Sequence, residues 1–308
     1  MLAASSWTPP AKIRSVLSDV DGTLFPFGTS TPLSAGNIAA LTEAMKRGAH
    51  VGLATGRIPG PWSVAIQSAL PGLGGSVFGN GGLVLDAAGS VVFEAALPSQ
   101  AAEVVRAYTL NGRANGGRRL AVLAATRWQA GEPYSHHYVE LAPCGDTFCT
   151  QLIKNAAEPA IQVAEYPAQL PSILKYVIFT DPKDAAWASM PETVASLRSA
   201  LDGTGAVVLD CGASACEVFA PGVNKGSGVA RLLEHLKVPA TEAMALGDAE
   251  NDVEMLRLVG TGVAMGNANE HARGAADVVV GTSDQDGVAE AVRRFVLGLE
   301  GSQSGECI

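Results

Sequence analysis

Four short polar segments stand out in an Ala- and Gly-rich chain: Asp19-Val20-Asp21-Gly22-Thr23, Ala54-Thr55-Gly56-Arg57, Asn224-Lys225-Gly226 and Gly247-Asp248-Ala249-Glu250-Asn251-Asp252. If the fold gathers them, Asp19, Asp21, Asp248 and Asp252 share a site with one hydroxyl, one ammonium and one carboxamide. Carboxylates packed together repel one another and take up protons unless a cation joins them. Hard oxygen ligands with room for water suit Mg²⁺, which is usually held by one or two carboxylates and a substrate phosphate. A metal ion, a nucleophilic carboxylate and a cation beside an oxyanion are the parts needed for phosphoryl transfer. Each segment alone has a plainer role. A single Asp at a strand end caps a helix or forms a turn, Lys225 is a solvated first-turn residue, and Thr55-Gly56 is a turn. Only their joint order points to chemistry.

The surrounding pattern supplies elements that can position them. Val16–Ser18 reads as a buried parallel strand that stops at Asp19. Ser34 is a candidate N-cap for a helix carrying Ile38, Leu41 and Met45 and closed by Gly48. His50–Ala54 is a second strand ending in Thr55-Gly56-Arg57, and the Asn80-Gly81-Gly82 turn punctuates short antiparallel segments. From about Pro98 to Pro221 the texture becomes mixed α+β. Strands are expected at Leu120–Ala125, Tyr176–Thr180, Ala206–Asp210 and Glu217–Ala220, with a helix around Val104, Val105 and Tyr108. Another helix carries Met190, Val194, Leu197 and Leu201, with Ser189 and Glu192 as a capping-box pair. The βαβ rhythm then returns. Val229, Leu232, Leu233 and Leu236 form a helix stripe, Ala243–Leu246 is a strand ending at Gly247-Asp248, and Asp252–Leu258 opens another helix. Strands at Gly262–Met265 and Val278–Val280 follow, with a last helix through Val288, Val292 and Phe295. Strand-end motifs of this kind lie where open parallel sheets bind ligands.

Composition sets the outer limits. The chain has 308 residues, 21 Lys+Arg against 30 Asp+Glu and a net charge of −9. This balance argues against a nucleic-acid backbone or an anionic membrane as partner, while leaving room for a small phosphorylated ligand in a locally positive site. A mean hydropathy of +0.20 comes from Ala and Gly, and no run approaches the roughly 18 apolar residues of a spanning helix. Met1–Lys12 lacks the apolar stretch of a secretory signal, although its Ser5 and Ser6 and its lack of acids leave organelle targeting open. Five dispersed cysteines read as reduced thiols, so a cytoplasmic location is expected.

The four segments, in this order, resemble the motifs of the haloacid dehalogenase-like hydrolase superfamily. The continuations Val253-Glu254-Met255-Leu256, Gly262-Val263-Ala264-Met265-Gly266-Asn267-Ala268 and Asp286-Gly287-Val288-Ala289 are similar to its Cof-type branch. The resemblance covers both flanking segments and is weak across the middle. It implies a doubly wound parallel, Rossmann-like α/β core, Met1–Leu85 plus Gly222–Ile308, with an inserted α+β cap, Asp86–Pro221, that closes as a lid and chooses the leaving group. It implies that Asp19 attacks phosphorus and becomes an aspartyl phosphate. Asp21 would serve as general acid and then base, and Lys225 would neutralise charge on the nucleophile and the transferring group. Thr55, the Gly56 amide and Asn251 would bind phosphoryl oxygens. Mg²⁺ would be held by Asp19, the Asp21 main-chain carbonyl and Asp248, with Asp252 behind them, orienting Lys225 or a metal-bound water. Where the family often has Lys after its Gly-Asn-Ala stretch, this chain has Arg273, which keeps the charge.

Other candidates are weaker. Adjacent His136 and His137 point apart on a strand, and their spacing to Cys144 and Cys149 fits no usual zinc site. Gly212-Ala213-Ser214-Ala215-Cys216 misses the nucleophile-elbow pattern. Of Trp128, Tyr134 and Tyr138, two are expected to pack and one to face substrate. The expected activity is Mg²⁺-dependent hydrolysis of a small phosphorylated metabolite, such as a sugar phosphate or pyridoxal phosphate, by a monomer or homodimer. A phosphotransferase of the phosphomannomutase type, and a metabolite-binding protein that has lost catalysis, stay open as alternatives.

Overall fold

A computed structural model describes residues 12–26, 33–110, 120–127, 136–142, 160–162, 172–181 and 183–299. The chain divides into two units: Met1–Arg57, Ser63–Phe93 and Asn224–Ile308 form the first, Ile58–Trp62 and Glu94–Val223 the second.

The first unit begins with β1 (Ser15–Ser18) and β2 (His50–Leu53). A helix, Ala35–Lys46, connects them and makes the crossover that parallel strands require. The Ser34 side chain caps this helix by accepting the Asn37 N–H, as its sequence predicts. A hairpin follows, β3 (Ser76–Phe78) and β4 (Leu83–Leu85), joined by a tight turn at Gly79–Gly81, and β5 (Val91–Glu94) extends it. Val91–Phe93 therefore packs with the first unit, whereas the change of texture in the sequence suggests a boundary at Asp86.

The second unit contains β6 (Ala121–Arg127), β7 (His136–Ala142), β8 (Ala160–Gln162), β9 (Ile173–Phe179), β10 (Val207–Asp210) and β11 (Ala215–Phe219). They form one sheet ordered β10-β11-β9-β6-β7-β8, antiparallel except for the β7–β8 pair. Because side chains alternate along a strand, Tyr176, Ile178 and Val218 point into a core shared with the Ser99–Leu110 and Met190–Ala200 helices, which contribute Val105, Tyr108, Val194 and Leu197. The capping box expected at Ser189 is not formed. Ser189 is the N-cap residue but makes no side-chain cap bond, and Pro191 sets the first turn of the helix instead. Tyr138 is buried in this sheet, with the Lys175 ammonium 5.9 Å from its ring centre. Trp128, Tyr134, Cys144 and Cys149 lie outside the described residues.

The chain then returns to the first unit as β12 (Ala243–Gly247), β13 (Thr261–Ala264) and β14 (Val278–Val279). The parallel sheet has the order β14-β13-β12-β1-β2. The chain leaves β1 towards β2 on one side and comes back as β12 on the other. That makes the β1/β12 boundary a topological switch point, the place where loops diverge and open a crevice at the carboxyl ends of the strands. β1, β12 and β13 are buried throughout, as expected of parallel strands covered on both faces.

Candidate active site

Both halves of the crevice carry carboxylates. Asp19 directly follows β1 and Asp248 directly follows β12, and the two strands are paired in register from Ser15–Ala243 to Ser18–Leu246. Lys225 is the first residue of the Lys225–Leu236 helix. Asn224 caps that helix in a capping box with Ser227, a reciprocal pair not anticipated from the sequence, and so fixes where Lys225 starts.

The Lys225 ammonium donates to Asp19 Oδ1 at 2.7 Å and to Asp252 Oδ1 at 2.6 Å. All three side chains are essentially shut off from solvent: Lys225 is 1% exposed, Asp19 4% and Asp252 0%. The other oxygen of Asp252 accepts the main-chain N–H groups of Asp248 and Ala249, both at 2.9 Å. Asp252 thus ties the ammonium to the loop that presents Asp248. Burial pushes the Asp19 carboxyl well above its ordinary range, with Lys225 opposing it and Asp252 and Asp248 adding to it. Burial works against the Lys225 charge too, but the two carboxylates outweigh it and hold the ammonium above its usual value. Burial also lifts Asp248 to about 6, against a hydrogen bond from Thr23 Oγ1 to its Oδ1 at 2.8 Å.

Oxygens of Asp19, Asp248 and Asp252 lie within 4.8 Å of one another. The three are not equivalent as ligands. Asp252 already accepts three hydrogen bonds, whereas Lys225 takes one oxygen of Asp19 and Thr23 one oxygen of Asp248. Asp248 Oδ2 is the donor most open to a hard divalent cation, with the Asp19 carboxylate beside it. Gly22 makes room for this arrangement. Its φ is +84°, and a Cβ there would stand 2.3 Å from Asp248 Oδ2, so a side chain at this position would displace the carboxylate.

The remaining sequence-selected residues are placed around this cluster. Thr55 is buried after β2; its N–H donates to Val77 O and its Oγ1 accepts from Arg57 N, which leaves the hydroxyl proton to give. Gly56 follows it, and Asn251 sits in the turn between Asp248 and Asp252. Asp21 is gripped by both prongs of the Arg57 guanidinium, Nε to Oδ2 at 2.7 Å and a terminal nitrogen to Oδ1. Arg57 was legible only as the third letter of Thr55-Gly56-Arg57, with no role attached. Two further contributors were hidden in turns. Asn80 accepts the Asn251 amide at 3.0 Å, and Asn267 Nδ2 donates to Gly22 O at 2.7 Å, bracing the loop behind Asp21. Arg273 spends its guanidinium on the carbonyls of Ala268 and Gly266, steadying the Asn267 loop.

A profile of the haloacid dehalogenase-like hydrolases matches residues 16–292 of this chain. The chain belongs to that family. A haloacid dehalogenase-like hydrolase from Bacteroides thetaiotaomicron superposes on 92% of this chain and 99% of its own, with a TM-score of 0.76 and 26% identity. The chloroplastic endoribonuclease YBEY of Arabidopsis thaliana is 31% identical over 294 residues, 93% of this chain and 47% of that protein. A phosphoglycolate phosphatase of Natronomonas pharaonis is 46% identical over 93 residues, 30% of this chain and 41% of that enzyme. The chain spans less than half the length of these two curated relatives.

Proposed function

We propose that this member of the haloacid dehalogenase-like hydrolases is a Mg²⁺-dependent phosphatase that hydrolyses a small phosphorylated metabolite through an aspartyl phosphate on Asp19. The observation that carries the reading is the buried Lys225 ammonium held between Asp19 and Asp252. A lysine so placed fixes one oxygen of the nucleophile and leaves the other for attack. It also supplies positive charge where the transferring phosphoryl group would gather negative charge.

In the first half-reaction Asp19 Oδ2 attacks phosphorus and the bond to the leaving oxygen breaks, with Asp21 giving that oxygen its proton. In the second, water attacks the same phosphorus, Asp21 takes the water's proton, and the bond to Asp19 breaks to release inorganic phosphate. Arg57 sets the plane of the Asp21 carboxylate through its two-pronged contact. Thr55, the Gly56 amide, Asn251 and Lys225 bind the phosphoryl oxygens. Asp19, Asp248 and the main-chain carbonyl of Asp21 would hold Mg²⁺, which when bound offsets the mutual repulsion of carboxylates and phosphate. The α+β unit is assigned the choice of leaving group. Phosphoglycolate phosphatase activity in one relative supports small phosphorylated metabolites as the substrate class. No helix among the described residues is long and apolar enough to cross a membrane.

The test is a panel of phosphorylated metabolites assayed with Mg²⁺ and with chelator, wild type beside Asp19→Asn, in ¹⁸O-labelled water. Metal-dependent release of phosphate carrying ¹⁸O, lost in the variant, is expected. Full turnover by Asp19→Asn would rule out the nucleophile, and transfer without ¹⁸O incorporation would replace hydrolysis by transfer to an acceptor hydroxyl.

A further inference from the structure

The Asn80-Gly81-Gly82 stretch reads in the sequence as a hairpin turn and nothing more. In the structure Asn80 is buried and holds a left-handed backbone, φ 52° and ψ 34°. Few residues other than glycine adopt that conformation, Asn among them, and such strain persists where the surroundings enforce it. Here the enforcing contacts reach three of the four polar motifs. The Asn80 N–H donates to Thr55 O at 3.0 Å, and the Gly79 N–H donates to Arg57 O at 2.8 Å, so the turn is stitched to the Thr55–Arg57 loop. A Cβ on Gly56 would lie 3.1 Å from Asn80 Oδ1, which shows how closely that loop rests on the carboxamide. On the other side Gly81, at φ +98°, leaves no room between the turn and the cap of the Lys225 helix: a Cβ there would stand 2.0 Å from Asn224 O. Finally, Asn80 Oδ1 accepts Asn251 Nδ2–H at 3.0 Å.

The last contact has a chemical consequence. A carboxamide can turn either its oxygen or its NH₂ towards a ligand, and only NH₂ suits a phosphoryl oxygen. By accepting one N–H of Asn251, Asn80 decides which way that amide faces and leaves the second N–H to donate. We propose that Asn80 is a positioning residue of the phosphoryl site. Its side chain orients Asn251 and its left-handed main chain seats the Thr55–Gly56 loop, so that donors from two separate motifs converge on one phosphoryl group. The proposal rests on the phosphatase reading above, and its test separates the two.

The experiment is a double-mutant cycle of Asn80→Gly and Asn251→Ala. Glycine keeps the left-handed backbone without strain while removing the carboxamide. Two quantities are measured: kcat/KM for p-nitrophenyl phosphate, and the affinity for inorganic phosphate with Mg²⁺ by titration calorimetry, which needs no turnover. Asn80→Gly is expected to lower both by about 10- to 100-fold. In the Asn251→Ala background the same change should do no more than about twofold, because its target is already gone. Asn80→Asp, which keeps an acceptor for the Asn251 amide, is expected to hold kcat within about threefold of wild type while KM rises from added negative charge. Equal losses from Asn80→Gly in both backgrounds would overturn the proposal, as would wild-type behaviour of Asn80→Gly. If Asn80→Gly does not fold, a kcat for Asn80→Asp as low as that of Asn251→Ala overturns it instead. Should Asp19→Asn keep full turnover, the phosphatase reading fails by itself, and the phosphate-binding cycle still decides the role of Asn80. Absence of phosphate binding by the wild type would also overturn the proposal.

Discussion

Asp252→Asn is nearly isosteric, yet the geometry predicts a large loss of stability. The aspartate accepts three hydrogen bonds with two oxygens: Lys225 Nζ on one, the Asp248 and Ala249 amides on the other. Asparagine has a single oxygen. Turned towards the two amides, it sets an NH₂ group against the ammonium and removes one of its two counter-ions from a site 1% exposed. Turned towards Lys225, it leaves two main-chain donors facing another donor, at about 1–3 kcal/mol each. Breaking a buried ion pair by removing one charge typically destabilises by about 3–5 kcal/mol, so both orientations lead to a similar figure. The retained contact with Asp19 places the expectation near the lower end, about 3 kcal/mol. At about 2–4 °C per kcal/mol for domains of this size, the midpoint should fall by about 6–12 °C. The assay is thermal unfolding at neutral pH of wild type, Asp252→Asn, Lys225→Met and the double variant. If the pair carries the effect, the double variant should be less destabilised than the sum of the singles by about 2 kcal/mol. Additivity within about 0.5 kcal/mol would refute the reasoning, because it would mean that the two groups do not act through each other.

Two further expectations follow from the same geometry. Arg57→Ala should lower kcat by about 10- to 100-fold, and more for an alkyl phosphate, whose leaving oxygen needs the Asp21 proton, than for p-nitrophenyl phosphate. Arg57→Lys should not restore the rate, since one ammonium cannot reproduce the fork, and equal losses for the two substrates would count against Arg57 acting through Asp21. In metal-free protein, folded Asp248 keeps its proton up to about pH 6, against 3.8 for an ordinary aspartate. Between those values the folded state binds more protons than the unfolded one, so this contribution falls as pH rises. His50, whose ring nitrogens meet Ser15 Oγ at 2.9 Å and Gly75 O at 3.0 Å, acts oppositely. Burial lowers its pKa from 6.5, so its stabilisation is complete above 6.5 and is lost as pH drops through the folded value. Because a divalent ion binds the ionised carboxylates, the rise in unfolding midpoint caused by Mg²⁺ should grow from about pH 5 to about pH 7. A rise that stays flat or shrinks over that range would argue against Asp19 and Asp248 as ligands.

The chemical groups of the site, and the strands that deliver them, were legible in the order of residues along the chain. Asp19 and Asp248 each follow an apolar run short enough to be a buried strand, and such a strand delivers the polar residue that follows it at the carboxyl end of the sheet. The order of motifs, with Lys225 opening an amphipathic helix, then sufficed to name the family. Local capping was legible where one residue decided it, as at Ser34. It was half right at Ser189, which is the N-cap residue but makes no side-chain cap bond, and unseen at Asn224, whose partner Ser227 is not the usual Glu or Gln. Tertiary structure alone decided the pairings. Arg57 meets Asp21 across 36 residues and Asn80 meets Asn251 across 171. No local periodicity encodes such distances, because they are set by which elements pack side by side: β1 beside β2 for the first pair, the β3–β4 turn against the Asp248–Asp252 loop for the second. From its residues alone the sequence counts Asp252 as one acid among four, and only the family resemblance set it behind the ligands, orienting Lys225 or a metal-bound water. Its two oxygens are spent on Lys225 and two amides, a fact of packing that appears only when the strands bring those donors to it.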